Sequence, residues 1–216
     1  MKKLLKKEIF LSMHPTAPIF IILSTMLIIP NYPYYVVFFY TGLAVFFTCL
    51  NGRENNDVFY TLTLPIAKKD IVKSRFAFVI LLELAQIIAA IPFAIIRENL
   101  PLPGNQVGMD ANIALFGFSL IMLGLFNYIF FEIYYKDINK VGTAFVWSST
   151  AIFVYIVIAE TSVHIIPFVR DYLDTKDPKY LAYKLIVLAV GTIIYTFLTY
   201  AAYRKSVKSF EALKLG

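Results

Sequence analysis

A single cysteine, Cys49, stands in a chain of 216 residues. One thiol excludes a disulfide framework within the chain and any CxxC metal or redox site. The only two histidines, His14 and His164, are far apart in sequence, which argues against a histidine metal cluster. Charge is scarce too: 16% of residues are charged, against about 25% in soluble domains. The patterns GxxxxGK[ST], HExxH and GxSxG are absent, as is an aspartate-rich pair that could hold Mg²⁺ for phosphate or prenyl transfer. Without them the chain has no P-loop for ATP and no recognisable catalytic motif, so an enzyme is disfavoured. There is no internal repeat and no low-complexity segment.

What the chain has instead is apolar surface. Hydrophobic residues make up 59% and aromatics 17%, and the mean hydropathy is +0.71. That composition excludes a disordered chain and an ordinary soluble domain, and it predicts an all-α polytopic membrane protein. Six spans of about 20 residues would use more than half the length, leaving no room for a separate soluble catalytic domain.

The first segment, MKKLLKKEIFLSMHP, sets Lys2, Lys3, Lys6 and Lys7 opposite Leu4, Leu5, Ile9, Phe10 and Met13 on a helix. It predicts a basic amphipathic helix over 1–14 lying in the membrane interface. No small-residue cleavage site follows, so the segment is not expected to be a cleaved signal. Spans are predicted over 17–29, 34–50, 76–96, 113–135, 141–159 and 181–203, forming a single transmembrane domain over 1–216. The first two are short and meet at the turn Pro30-Asn31-Tyr32-Pro33, so one of them must be kinked or extended into its flanks. Proline and glycine otherwise collect in loops, as in Pro101-Leu102-Pro103-Gly104.

With the N-terminus inside, six crossings return the C-terminus to the inside. Of the 20 basic side chains, all but Arg97, Arg170, Lys176, Lys179 and Lys184 then fall on the inner side, the last of them Lys214. This is the positive-inside pattern of a plasma-membrane protein with both termini cytosolic. The net charge of +6 is thus read as contact with anionic lipid headgroups, with no nucleic-acid partner. Tyr34, Tyr35, Tyr134, Tyr135, Tyr180 and Tyr203 fall at predicted span ends, where interfacial belts are expected.

Several polar side chains fall at span depth. A carboxylate there costs roughly 2.5–3.5 kcal/mol on insertion scales, so Glu83 must face a cavity or another helix. Glu83, Gln86 and Asn127 are candidates for a substrate path, or equally for hydrogen bonds between helices. Glu132 and Glu160, nearer span ends, are expected to snorkel to the interface. Gly117 and Gly124, one heptad apart, and Ala85 with Ala89 allow close helix packing.

The most informative stretch is the cytosolic loop 52–75. Leu64-Pro65 breaks any helix arriving from the N-terminal side. A new helix can begin at Lys68 and run into the third span. Between them, 57–64 can form a short helix parallel to the membrane, offering Val58, Phe59 and Leu62 to a partner or to lipid.

At this loop the sequence N-D-x-F-Y-x-L-x-L-P-I-x-K-K-D-I-V-x-S-R, residues 56–75, resembles the first cytosolic loop of small bacterial ABC-2-type transporter permeases. The basic N-terminal helix is similar to that family's elbow helix, and six spans in this length match its size. The stretch 127–142 is similar to its end of span four, although Phe126-Asn127 stands where a proline is expected. The segment 160–179 is similar to a region that dips into the outer leaflet. The resemblance implies the permease subunit of an ATP-driven exporter. It would work as a homo- or heterodimer with separate ABC ATPase subunits that bind ATP and Mg, the chain itself holding no cofactor. By the same resemblance, Asp57, Tyr60, Thr61, Leu64, Pro65, Lys68, Lys69 and Asp70 would couple to the ATPase, with Lys136, Asp137 and Lys140 of the second cytosolic loop. The cargo would be amphipathic or hydrophobic: a peptide, a lipid or a drug. The alternative is a non-transporting membrane scaffold or sensor subunit.

Overall fold

The computed structural model describes residues 2–213. Met1 and Lys214, which belong to the expected interfacial helix and inner basic set, lie outside the described residues. Every regular element among those described is helical. Helix α1 (Lys2–Lys7) continues as a π-helical turn, Glu8–Ser12. Helix α2 (Ala17–Ile22) continues as a 3₁₀ stretch, Leu23–Ile28. Then come α3 (Tyr35–Glu54), α4 (Asp57–Leu62), α5 (Lys68–Asn99), α6 (Ile113–Tyr134) and α7 (Val141–Ile165). A π-helical turn at Val169–Leu173 precedes α8 (Leu181–Ala212).

Five of these helices, α3, α5, α6, α7 and α8, are long and apolar enough to cross a membrane, and six crossings result if the bent N-terminal pair is one more. That pair, Lys2–Ser12 and Ala17–Ile28, bends by 86° around His14-Pro15, where the proline ring disfavours helix in the residue before it. The second arm still runs most of the length of α3. His14 N donates to Thr48 Oγ1 at one end, and the Ile29 carbonyl accepts from Tyr34 OH at the other. Thr48 and Tyr34, the N-cap of α3, are about 21 Å apart along the helix axis. This arm, the first crossing of the six expected from the sequence, is therefore short, and its last two turns, Leu23–Ile28, are drawn out into 3₁₀ geometry, which rises further per residue.

Contacts define two ends of the bundle, labelled inner and outer after the orientation expected from the sequence. At the inner end, α1, α4, the start of α5, the α6–α7 turn and the end of α8 come together: Lys7 pairs with Asp57, Arg53 donates to the Asn139 carbonyl, and Lys68 donates to the Leu213 carbonyl. At the outer end, the 97–112 loop meets 160–184. The beginning of α1 and the end of α8 thus lie at the same end.

Helix α6 is the central post, apolar and buried along most of its length, whereas α5, α7 and α8 turn apolar faces outward. Its closest neighbour is α8. A Cβ on Gly117 would sit 2.7 Å from the Val187 carbonyl oxygen, and one on Gly191 would overlap the Gly117 carbonyl. A Cβ on Gly124 would be 3.0 Å from the Tyr195 Cα. Gly117 and Gly124 therefore pack within the chain, in the small-residue manner of membrane helices. The inner half of α6 carries a buried aromatic stack, Phe126 on Phe130 on Tyr134, with Phe131 against Phe76.

Tyrosine placement corrects the sequence expectation. Tyr34, Tyr35, Tyr134 and Tyr135 are buried within the bundle, and of the six only Tyr180 is well exposed. Tyr34 is held inward by two bonds, donating to the Ile29 carbonyl and accepting from Arg97 Nε.

Candidate functional site

Helix α4 begins where Asn56 turns the chain through a left-handed conformation (φ 52°), a geometry asparagine tolerates better than most residues. The next residue, Asp57, points into the bundle and collects three partners. Lys7 Nζ lies 2.6 Å from Oδ1, Arg75 Nη2 lies 3.2 Å from Oδ2, and Ser12 Oγ donates to Oδ2 at 3.2 Å. Arg75 Nε also pairs with Glu8 Oε2 at 3.0 Å, and Lys7 donates to Thr61 Oγ1 at 3.1 Å. Glu8 and Arg75 are almost fully buried. Four charges of alternating sign thus bind elbow, α4 and α5 into one piece, each compensating the desolvation of its neighbours.

This mount decides which face of α4 is on offer. Val58 and Thr61 are buried, so the expectation that Val58 is offered to a partner is corrected. Phe59, Tyr60, Thr63, Leu64 and Pro65 are exposed, and Tyr60 is 69% exposed. The helix ends at Leu62, before Leu64-Pro65, and α5 starts at Lys68.

The remaining candidates of the inner end divide into groups. Asp57 and Thr61 face the bundle, while Tyr60, Leu64 and Pro65 face outward. Lys68 reaches toward α8, donating to the Leu213 carbonyl at 2.8 Å with the Phe210 ring 5.6 Å away. Lys69 lines a groove against the end of α8, and Asp70 is half-buried at the start of α5. Lys136 pairs with Glu132 and Lys140 with Asp137, both near the surface. Their loop lies close to α4: Val58, Phe59, Tyr134, Ile138 and Asn139 share the wall of a small crevice.

At span depth the structure brings together Glu83 and Asn127 but not Gln86. Tyr195 OH donates to Glu83 Oε2 at 2.6 Å, and Asn127 Nδ2 donates to the same oxygen at 3.1 Å and to Thr199 Oγ1 at 3.2 Å. Gln86 Nε2 donates instead to Ser24 Oγ at 2.9 Å. These bonds tie α5, α6 and α8 together and α5 to the first crossing. None of the three residues lines the two roomier cavities, of about 730 and 420 Å³. Glu132 is half-exposed and paired with Lys136 and Lys205. Glu160 corrects the snorkelling expectation: it is buried, and its Oε2 accepts from Met109 N at 3.0 Å.

The outer end carries a polar cap that the sequence reading missed. Arg97 and Lys184, counted there only as basic residues of the outer side, are buried. Arg97 donates to Tyr34 OH and to the Pro103 carbonyl, and Lys184 Nζ lies 2.5 Å from Asp177 Oδ1. Asn112 caps α6 through Leu115 N and donates to the Leu173 and Thr175 carbonyls. Asp174 Oδ1 accepts from Asp110 N at 2.7 Å. The one available signal was the crowd of Asn and Asp in these two loops, which favours side-chain bonds to backbone.

Burial pushes the Asp174 carboxyl up to about 6, against the opposing Asp110 N–H bond. A folded-state pKa above the unfolded one means that this group favours folding below about pH 4, and that the benefit is lost as pH rises through 6. Asp174→Asn keeps the acceptor and removes the charge. It is expected to stabilise the protein by about 1 kcal/mol at pH 8, with the gain vanishing by pH 4. Melting curves in detergent across that range check this; a pH-independent difference would refute it.

A bundle of five to six helices apolar enough to span, with loops sealed at one end and a small exposed helix mounted at the other, defines a multi-pass membrane protein. Residues 3–211 match the family described as ABC-2 family transporter protein, and the chain belongs to that family. It is therefore a membrane permease component and not itself the catalytic part. No curated protein and no solved structure matches the chain.

Proposed function

We propose that this chain is the transmembrane permease subunit of an ATP-driven exporter, powered by a separate P-loop ATPase that docks on α4. The observation that carries this reading is the mount: Tyr60 exposed on a short helix, with exposed Leu64 and Pro65 just beyond its end, and the helix pinned to two others by Lys7, Asp57, Arg75 and Glu8. A short helix presenting such anchors suits a groove in a partner. The α6–α7 turn with Lys136, Asp137 and Lys140 borders the same surface, and Lys68, Lys69 and Asp70 continue it toward α8.

In this reading the inner end faces the cytosol of a bacterial cell, both termini are cytosolic, and two permease chains act with two ATPases that bind ATP and Mg. The cargo is amphipathic or hydrophobic. A route past Glu83, Gln86 and Asn127 would require their interhelical bonds to open during the cycle.

The test is co-purification in mild detergent with the P-loop ATPase encoded beside the chain. Tyr60→Ala with Leu64→Asp is expected to lower recovered ATPase at least tenfold at equal membrane insertion. If wild type recovers no ATPase, the scaffold or sensor reading replaces this one.

A further inference from the structure

At the inner end, α8 and the start of α5 border a groove of about 730 Å³. Its walls carry Lys69, Arg204, Lys205 and Lys208 against one carboxylate, Glu211. Lys205 is already engaged by Glu132 at 2.9 Å and by Tyr128 OH. Among the described residues Arg204 hydrogen-bonds to Tyr200 OH alone, at 3.4 Å. Lys69 and Lys208 have no carboxylate within ion-pair distance among the described residues. Lys69, Arg204 and Lys208 thus converge on one concave surface that offers them a single carboxylate, Glu211, outside ion-pair distance.

The same face of α8 continues into the membrane as an apolar row. Ile186, Val190, Ile193, Phe197 and Tyr200 are all exposed and follow at alternating steps of four and three, the spacing of one helix face. Arg204 and Lys208 are the next members of that row. Helix α8 has 32 residues and is about 48 Å long, against about 30 Å of hydrocarbon. The apolar row from Ile186 to Tyr200 covers about 21 Å of that depth, a tyrosine marks its edge, and the cations emerge beyond it toward headgroup level.

We propose that this groove binds an anionic phospholipid, with the headgroup phosphate held by Lys69, Arg204 and Lys208 and an acyl chain lying along Phe197 and Ile193. Basic pockets between membrane helices recognise such headgroups. The unbroken apolar row singles out a lipid over free phosphate, which would gain nothing from it. The site rests on the chain's membrane embedding; Lys69 borders both it and the proposed ATPase surface, but the variants below leave Lys69 untouched, so the two proposals fail separately.

The experiment is native mass spectrometry of the purified chain with phosphatidylglycerol or phosphatidylcholine of identical acyl chains. Wild type is expected to retain phosphatidylglycerol preferentially, and inorganic phosphate should not compete. Arg204→Gln with Lys208→Gln is expected to cut that preference about twentyfold, at about fivefold per cation. Arg204→Lys with Lys208→Arg should keep most of it. Lys3→Gln with Lys73→Gln removes the same charge at the same end and should leave it intact. The proposal is overturned by equal retention of the two lipids, by an equal loss in the Lys3 and Lys73 control, or by competition from phosphate. It is also overturned if the Arg204 and Lys208 variant keeps its lipid preference and loses the ATPase instead, which would assign the surface to a protein.

Discussion

Arg75→Ala is expected to destabilise the protein by about 3–5 kcal/mol, the usual cost of removing one partner from a buried ion pair. Among the described residues Arg75 is the only cation that reaches both Glu8 and Asp57 from inside the bundle. Lys7 approaches the same two carboxylates from the rim, 3.3 Å from Glu8 and 2.6 Å from Asp57. Truncation would leave Glu8, 1% exposed, with a single rim partner. The expected result is a collapse of the detergent melting temperature and release of α4 from its seat. Cys49, the only thiol in the chain and buried in the wild type, provides the readout: its labelling by a maleimide should accelerate. Replacing Arg75 and Glu8 together by leucine should recover part of the loss, because apolar side chains of similar size commonly substitute for a buried pair at little cost. Wild-type stability in the single alanine variant would show that the network carries no load.

The second large effect is expected at Gly191. Its added Cβ would coincide with the Gly117 carbonyl, a backbone atom that cannot rotate away. Gly191→Ala should therefore push α8 from α6 and cost about 3 kcal/mol, at the upper end of overpacking penalties. That displacement would also pull Tyr195 and Thr199 from Glu83 and Asn127. Gly142 is the control, since nothing lies within 4 Å of a Cβ built there. Gly142→Ala should be neutral or stabilising by up to about 1 kcal/mol, from helix propensity alone. Equal melting of the two variants in detergent would contradict the close α6–α8 approach.

The all-helical, multi-span fold was legible because hydrocarbon demands long apolar runs, and such runs are visible without any partner information. The helix break at Leu64-Pro65 was legible for an equally local reason, the missing proline N–H and its steric demand. What each helix turns inward was not. A soluble helix advertises its buried face by alternating apolar and polar residues, but here lipid and protein interior are both apolar, so rotation about the axis leaves little trace. Tyr34 and Tyr134 consequently read as belt residues and proved to be core. Val58 read as an offered side chain and proved to be packed. Arg97 and Lys184 read as outer charges, because their partners Asp110, Pro103 and Asp177 lie in loops whose folding no periodicity encodes. Gly191 escaped notice because its meaning depends on Gly117, 74 positions earlier.

The right-angled elbow carries a mechanical consequence. Lys2–Ser12 stands at 86° to the first crossing and is welded through Lys7 and Glu8 to the piece that holds α4. In the proposed coupling, a push on α4 could not tilt that piece without sweeping the elbow, with exposed Phe10 and Leu11, through the membrane interface expected to hold it. The work done on α4 is then shared with whatever medium surrounds the elbow. The stiffness and packing of the bilayer surface become part of the load, and the same stroke would meet a different resistance in a different membrane.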